Sequence, residues 1–522
     1  MSQHPRSGAP PARAFTMENR GVDTVPPEER TFPPRRIFSV LYGGDLTYSV
    51  IIFGSFPIVF GLGWWASVGS VLAGVLVGSL VIAPMSIFAP RTGTNNPVSS
   101  GAHFGVAGRF IGTILALFSA LGFTAITIWT SGDALVGTVN RITGTATTDL
   151  GRGIGYAAMI AIVLTIAVRG VHLMTRIQET VMVPVMSVVL LVGLFAFAPA
   201  FDPGYAGGDY AFGSFSVTFV ASALLMASVV ISYGVFIGDW ARYIDPEVHP
   251  MRRVAGATFL GGLVGMGVPI LWGTFVASTF AEQAHNFIPA LIAQSPGWYL
   301  VGLVLLGGVA GVAQGTVGLY GTGLDTSSLI PRLSRQQSTL LIGAVSVALV
   351  YLGTFVWDAL AVVNGFLVLL VVITTPWIVI MAIGYFHRRG HYLADDLQVF
   401  TRGQTGGRYW FFRGVNWRAA GSWMAGSAVG VMFSAAPPIL TGPWADAAGG
   451  IDLSLVSGAV AAAVVYTVVL RFCPEPSYVF GPDGGRFGVS HTAGEPAPIV
   501  ALRADGRVLA TTTPTVDAEE SM

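Results

Sequence analysis

The sequence predicts an all-α integral membrane protein with twelve transmembrane helices, and three observations carry that prediction. Only 10% of its 522 residues are charged, 53% are hydrophobic, and the mean hydropathy is +0.67; soluble domains carry roughly 25% charged residues. Its apolar runs approach the ~20 residues that a helix needs to cross a bilayer core, without the alternation of barrel strands. Finally, its arginines concentrate in every second loop, as the positive-inside rule requires.

In chain order the predicted spans are 38–64, 66–89, 110–138, 153–168, 178–200, 212–238, 253–280, 297–324, 337–356, 358–386, 416–440 and 450–471. Span 1 contains "YGGDLTYSVIIFGSFP", in which Gly43, Gly44, Asp45, Ser49, Gly54, Ser55 and Pro57 interrupt an apolar run. Span 3 carries Phe123, Thr124, Thr127, Trp129 and Asp133, and span 4 is the shortest. Span 5 opens on Glu179, three residues after Arg176, a spacing that pairs the two. Span 6 contains "MASVVISYG", with Ser228, Ser232 and Tyr233, then closes on "DWARY", where Asp239 and Arg242 are spaced i, i+3 to meet on one helix face and fix its end. Span 8 reads "VAGVAQGTVGLYGTG", a glycine-rich helix broken by Gln314, Thr316 and Tyr320. Spans 9 and 10 divide near Asp358. Buried polar groups are costly in lipid and mark pathways. Spans 1 and 6 open two five-helix halves, and interrupted segments at corresponding places in two halves point to a transporter site.

With the N-terminus inside, the cytoplasmic loops hold Arg91, Arg109, Arg169, Arg176, Arg242, Arg252, Arg253, Arg332, Arg335 and the arginines from Arg388 to Arg418, whereas the outer loops hold only Arg141 and Arg152. Both tails are therefore expected in the cytoplasm, with the protein in the plasma membrane. The chain divides into a mostly disordered tail (1–36), a first five-helix repeat (37–200), a second, inverted repeat (201–390), a cytoplasmic loop (391–415), two additional helices (416–473) and a C-terminal tail (474–522). The first tail has no apolar stretch to serve as a signal-peptide core. Most Trp residues, among them Trp64, Trp65, Trp298, Trp357 and Trp444, fall near span ends as interfacial anchors, and Trp129 alone is deep. His172 reads as a solvated loop histidine. The lone Cys473 excludes an internal disulfide, and a formal charge of zero gives no sign of a nucleic-acid partner. No His/Glu cluster, Ser–His pair or cysteine motif has enzymatic spacing, so neither a catalytic residue nor a metal site is expected.

The tail segment "GVDTVPPEER" (21–30), "DWARY" (239–243), "LYGTGLDTSSL" (319–329) and "RYWFFRGVNWRAAGSW" (408–423), in this order on twelve spans, resemble the purine-cytosine permease branch of the nucleobase:cation symporters. The resemblance runs from about residue 20 to 475. It implies a LeuT-like fold of 5+5 inverted repeats plus two helices, with substrate near the bilayer midplane among spans 1, 3, 6 and 8. The implied activity is import of a nucleobase or related small heterocycle by cation symport through alternating access. Relatives hold a flat heterocycle between aromatic rings of spans 3 and 6. Phe123 matches the first ring and Thr127 lies one turn further on; Ser232 fits a polar contact; Val230 occupies the span 6 aromatic position, with Tyr233 three residues later. Ser55, Tyr233, Gln314 and Gly318 complete the expected substrate site.

Stacking favours a planar ring, and its N–H and carbonyl groups need partners that replace lost water. Gln314 offers a donor and an acceptor on one amide. Span 8 departs from the family by having Gly315 and Gly318 where further asparagines are usual, which leaves room for a bulkier ligand. Sodium-coupled relatives place adjacent hydroxyls on span 8; here the window is Gly311, Val312, Ala313 and Gln314. The hydroxyls are missing, so no cofactor is expected and a co-transported proton is favoured over sodium, with Asp45 as its carrier, since low dielectric disfavours an ionised acid. Asp133 is a second candidate, facing the outer vestibule. An alternative is a transporter of another small solute such as an amino acid on the same fold, or a non-transporting ligand-binding receptor.

Overall fold

The computed structural model describes residues 22–168, 171–329, 333–355, 359–436, 440–487 and 495–501. Arg169, Arg332, Trp357 and Asp358 lie outside the described residues. Among those described, ten helices are long and apolar enough to cross a membrane, from Trp64–Thr92 to Ser454–Phe472, and the bent pair Arg35–Asp45 and Tyr48–Val59 adds one more. The expected span 416–440 is a helix of 16 residues, Trp417–Met432. At ~1.5 Å per residue it extends about 24 Å, short of a ~30 Å hydrocarbon core. Length and composition therefore support eleven of the twelve expected spans.

Glycines set the closeness of the helix pairs. Span 2 (Trp64–Thr92) lies against span 6 (Phe215–Ala241), where a Cβ at Gly74 would come 2.1 Å from the Ala223 carbonyl and Ser70 hydrogen-bonds Ser222 at 2.8 Å. The second half of span 1 packs on span 7 (Met251–Thr279) through Gly54 and Gly273, each facing the other helix's backbone. Small residues replace the hydrophobic effect as the means of association in lipid, because they let backbones approach. The first half of span 1 lies against π-helical stretches of span 5 (Gln178–Met186, with Pro184 inside) and span 7 (Gly261–Met266).

Both tails differ from expectation where they are described. Residues 22–36 form an ordered strap: Val22, Val25 and Phe32 are buried, the Val25 amide donates to the Gly93 carbonyl at 2.8 Å, and the Phe32 amide donates to that of Tyr243 at 2.9 Å. The Phe32 ring stacks on Tyr243 (5.0 Å, 28°), meets His172 edge-on, and has the Arg36 guanidinium 4.4 Å away. His172 is thus part of an aromatic group and not a solvated loop residue. Glu179 pairs with Arg36 at 2.8 Å rather than with Arg176.

After span 12 (Ser454–Phe472), the chain folds back under the loop 391–415. Glu475, fully buried, accepts two hydrogen bonds from Arg388 at 3.0 and 2.8 Å and one from Asn416 at 2.8 Å. Burial works against the Arg388 charge, but the adjacent Glu475 carboxylate outweighs it and holds the guanidinium above its ordinary range. The strand Ala497–Ala501 pairs antiparallel with Gln404–Gly407. Apolar and paired groups, not composition alone, decide which parts of a polar tail stay ordered.

Candidate functional site

Span 1 breaks immediately after Asp45. Leu46 (φ −74°, ψ 56°) leaves the helix, Thr47 (φ −136°, ψ 161°) is extended, and the helix restarts at Tyr48 at an angle of 78°. The glycines before the break weaken the helix, and both let amide side chains of other helices come close. A Cβ at Gly43 would come 2.9 Å from Gln178 Oε1 of span 5, and one at Gly44 would come 2.9 Å from Gln314 Oε1 of span 8. Span 6 tightens to a 3₁₀ turn over Ser232–Val235. The two irregular segments meet there.

Gln314 Nε2 donates to the Tyr233 hydroxyl at 2.7 Å, and that hydroxyl donates to Asp45 Oδ1 at 2.6 Å. All three side chains are buried, at 6%, 3% and 0% exposure. Asp45 Oδ2, Gln314 Oε1 and Gln178 Oε1 are buried acceptors without a hydrogen bond among the described residues. Leaving such a group unpaired costs about 1–3 kcal/mol, so a cluster of them marks a place built for something other than stability. Beside it runs a hydroxyl chain: Thr127 donates to Ser49 at 3.0 Å, and Ser49 lies 2.7 Å from Thr47 in the break. The Phe123 ring contacts Tyr233 (6.1 Å, 58°) and Phe366 (5.8 Å, 70°).

Of the residues expected from sequence, the fold brings Asp45, Tyr233 and Gln314 into one chain, with Phe123 against the tyrosine ring and Thr127 joined to the break of span 1. Asp45 is fully buried at the centre of this chain. Other expected residues are placed elsewhere. Val230 packs on Gly78 of span 2, which leaves Tyr233 as the aromatic of span 6 in this site. The Ser55 and Ser232 hydroxyls donate to the carbonyls of Ile52 and Val229 in their own helices. At the two glycines of span 8 the neighbouring helices come close: a Cβ at Gly318 would come 2.1 Å from Thr124 Oγ1, and one at Gly315 would come 3.0 Å from Val163. These glycines serve helix packing. The Phe123–Tyr233 tilt is also not a slot, because a flat ligand between two rings needs them nearly parallel and about 7 Å apart, twice a ~3.5 Å contact.

Asp239 and Arg242 are not at an exposed helix end, since they are 1% and 0% exposed. Arg242 donates to Tyr320 at 3.1 Å, while Asp325 of span 8 lies within electrostatic reach of both residues and accepts from Asn95 at 3.4 Å. A buried polar knot thus joins the arginine-rich ends of spans 2, 6 and 8. Asp133 accepts from Tyr156 at 2.5 Å and lies 3.7 Å from Arg152, which ties span 3 to span 4 away from the central chain. Trp129 lines a different space, an apolar cavity of about 650 Å³ shared with Phe118, Val350 and Phe366. Sequence reasoning missed Gln178, Thr47 and Asp325. A lone amide in span 5 was the available signal for Gln178, and Asp325 stands in the quoted "LYGTGLDTSSL"; nothing distinguished Thr47 from other hydroxyls.

The break of span 1 and the 3₁₀ turn of span 6, with polar groups meeting there and facing span 8, define the class: a secondary transporter of the inverted-repeat, LeuT-like fold. The chain belongs to the family of permeases for cytosine/purines, uracil, thiamine and allantoin, whose sequence pattern matches residues 24–457. Among relatives, "Putative purine-cytosine permease YxlA" of Bacillus subtilis (strain 168) is 22% identical over 468 residues, 87% of this chain and 96% of that protein. The vitamin B6 transporter TPN1 of Saccharomyces cerevisiae is 21% identical over 259 residues, 48% of this chain and 42% of its own length. Two structures of Mhp1 share the fold. The inward-facing form has a TM-score of 0.67 at 18% identity, covering 90% of this chain and 97% of Mhp1. The closed form, a nucleobase-cation-symport-1 family transporter with bromovinylhydantoin bound, has the same score and identity, covering 89% and 98%.

Proposed function

We propose that this protein imports a nucleobase or related small heterocycle across the plasma membrane by proton symport, with both tails in the cytoplasm. The observation that carries the reading is the buried Gln314–Tyr233–Asp45 chain where the break of span 1, the 3₁₀ turn of span 6 and span 8 meet. Gln314 reads the edge of the base, Phe123 and Tyr233 offer aromatic surface, and Asp45 takes the coupled proton. Proton is favoured over sodium because the span 8 window Gly311–Gln314 offers no hydroxyl, and its Ala313 carbonyl already accepts from Gln178 Nε2 at 3.5 Å. Hard cations need several oxygen ligands at once.

The test is uptake of labelled cytosine, adenine, hypoxanthine and uracil into proteoliposomes under an imposed proton gradient, a sodium gradient or neither. Accumulation under the proton gradient, lost in Asp45→Asn, is expected. Accumulation under sodium alone would replace the proton, and no accumulation by folded protein under any gradient would end the heterocycle reading.

A further inference from the structure

The Tyr233 hydroxyl has one hydrogen and stands between two groups, so its orientation is tied to theirs. In the arrangement seen, Gln314 Nε2 donates to Tyr233 and Tyr233 donates to Asp45 Oδ1, leaving Gln314 Oε1 as a bare acceptor. That order fits an ionised Asp45, which can only accept. A proton on Oδ2 would find no acceptor among the described residues, whereas one on Oδ1, the carboxyl oxygen facing Tyr233, makes that oxygen a donor to the tyrosine. The tyrosine hydrogen must then turn to Gln314, which can receive it only through Oε1, so the amide must turn over and its Nε2 leaves the chain. One proton is gained in total, no covalent bond breaks, and every hydrogen bond of the chain survives with its direction reversed.

Resting on the proposed function, we propose that Tyr233 is a positioning residue that relays the protonation of Asp45 to Gln314, switching the free end of that amide, beside Gly44, from acceptor oxygen to donor nitrogen. Two features favour this. Gly44 has no side chain where Gln314 Oε1 lies, so either end of the amide is accommodated there, whereas a Cβ would come 2.9 Å from the oxygen. The chain is also electrically isolated. Glu179 of span 5 is paired with Arg36, Asp239, Arg242 and Asp325 of spans 6 and 8 form the knot at the arginine-rich end, and Arg252 and Arg253 stand at the start of span 7. Among the described residues, the titratable group that acts on Asp45 is Tyr233. A single proton therefore has one readout, and substrate and proton affinities become linked because the two forms present different partners to the base.

Infrared difference spectroscopy between alkaline and acidic pH on the purified full-length protein, without substrate, tests the relay. Appearance of the protonated Asp45 carbonyl band, identified by its loss in Asp45→Asn, should be accompanied by shifts of the Tyr233 C–O band and the Gln314 amide band over the same pH range. In Tyr233→Phe the carboxyl should still protonate while the Gln314 band stays fixed. Carboxyl protonation with tyrosine and glutamine bands unmoved in the wild type would overturn the relay and leave the proposed function standing. No titrating carboxyl at all would remove the proton carrier and the relay together. A second readout uses whichever base of the uptake panel accumulates. One linked proton changes its affinity about tenfold per pH unit in the titrating range, and Tyr233→Phe should reduce this to under about twofold; an unchanged pH slope in that variant counts against the relay.

Discussion

Gly318 shows how a single position reads differently along the chain and in the fold. As a glycine in place of an expected asparagine it suggests space for a ligand, while in the fold a side chain there would meet the Thr124 hydroxyl of span 3. Gly318→Ala should destabilise the folded protein by about 1–3 kcal/mol, the usual penalty for overpacking, seen as a lowered unfolding temperature in detergent. Adding Thr124→Ala should restore most of it, because the nearest obstructing atom is the threonine hydroxyl. A stable Gly318→Ala protein with altered substrate preference would instead return the glycine to the binding site. Asp45, Tyr233 and Gln314 were each legible as polar interruptions in apolar spans. Their mutual contact was not, and neither was the part taken by Gln178, since an isolated amide gives no sign of which helix it will face.

Elements at the arginine-rich end are held by polar contacts that cross long stretches of chain. Arg388 follows span 10 (Gly365–His387), Glu475 follows span 12, and Asn416 precedes the helix Trp417–Met432, so one buried carboxylate joins three elements. Removing one partner of a buried pair strands the other, at a cost of about 3–5 kcal/mol. Arg388→Met should therefore unfold the protein more readily than the double change Arg388→Met with Glu475→Leu, a difference measurable by chemical denaturation; equal losses would show that the pair is not coupled. The strap 22–36 makes a comparable prediction. Phe32→Ala removes a ring stacked on Tyr243 and touched by Arg36, and should free the strap to limited proteolysis between residues 22 and 34 while leaving the central chain intact. Sequence placed the boundaries of most spans within a few residues, because hydropathy is set locally. It took the strap for disorder because three buried side chains among prolines and charges make no periodic pattern.

For the whole molecule, arginine asymmetry predicts that both ends of the membrane domain lie in the cytoplasm. Cys473, the lone cysteine, is exposed and follows span 12 at the arginine-rich end. A membrane-impermeant maleimide should label it in inside-out vesicles and not in right-side-out ones; the reverse pattern would invert the topology. Alternating access also requires the knot of Asp239, Arg242, Asp325 and Asn95 to open with the spans that carry it, since transport rocks one set of helices against another around the central site. Asp325→Asn should then change the rate of uptake more than the affinity for substrate, whereas an equal change in both would place Asp325 in the binding site.

By itself the sequence determined the solvent, the approximate spans, their expected orientation and the identity of the polar residues placed in lipid, because each follows from local hydropathy and charge. Only the tertiary structure decided which of those residues meet. Tyr233 reaches Asp45 across 188 residues and Gln314 reaches Tyr233 across 81, and helix packing, which no local pattern encodes, set Thr124 against Gly318 and drew the break of span 1 and the 3₁₀ turn of span 6 to one buried polar chain.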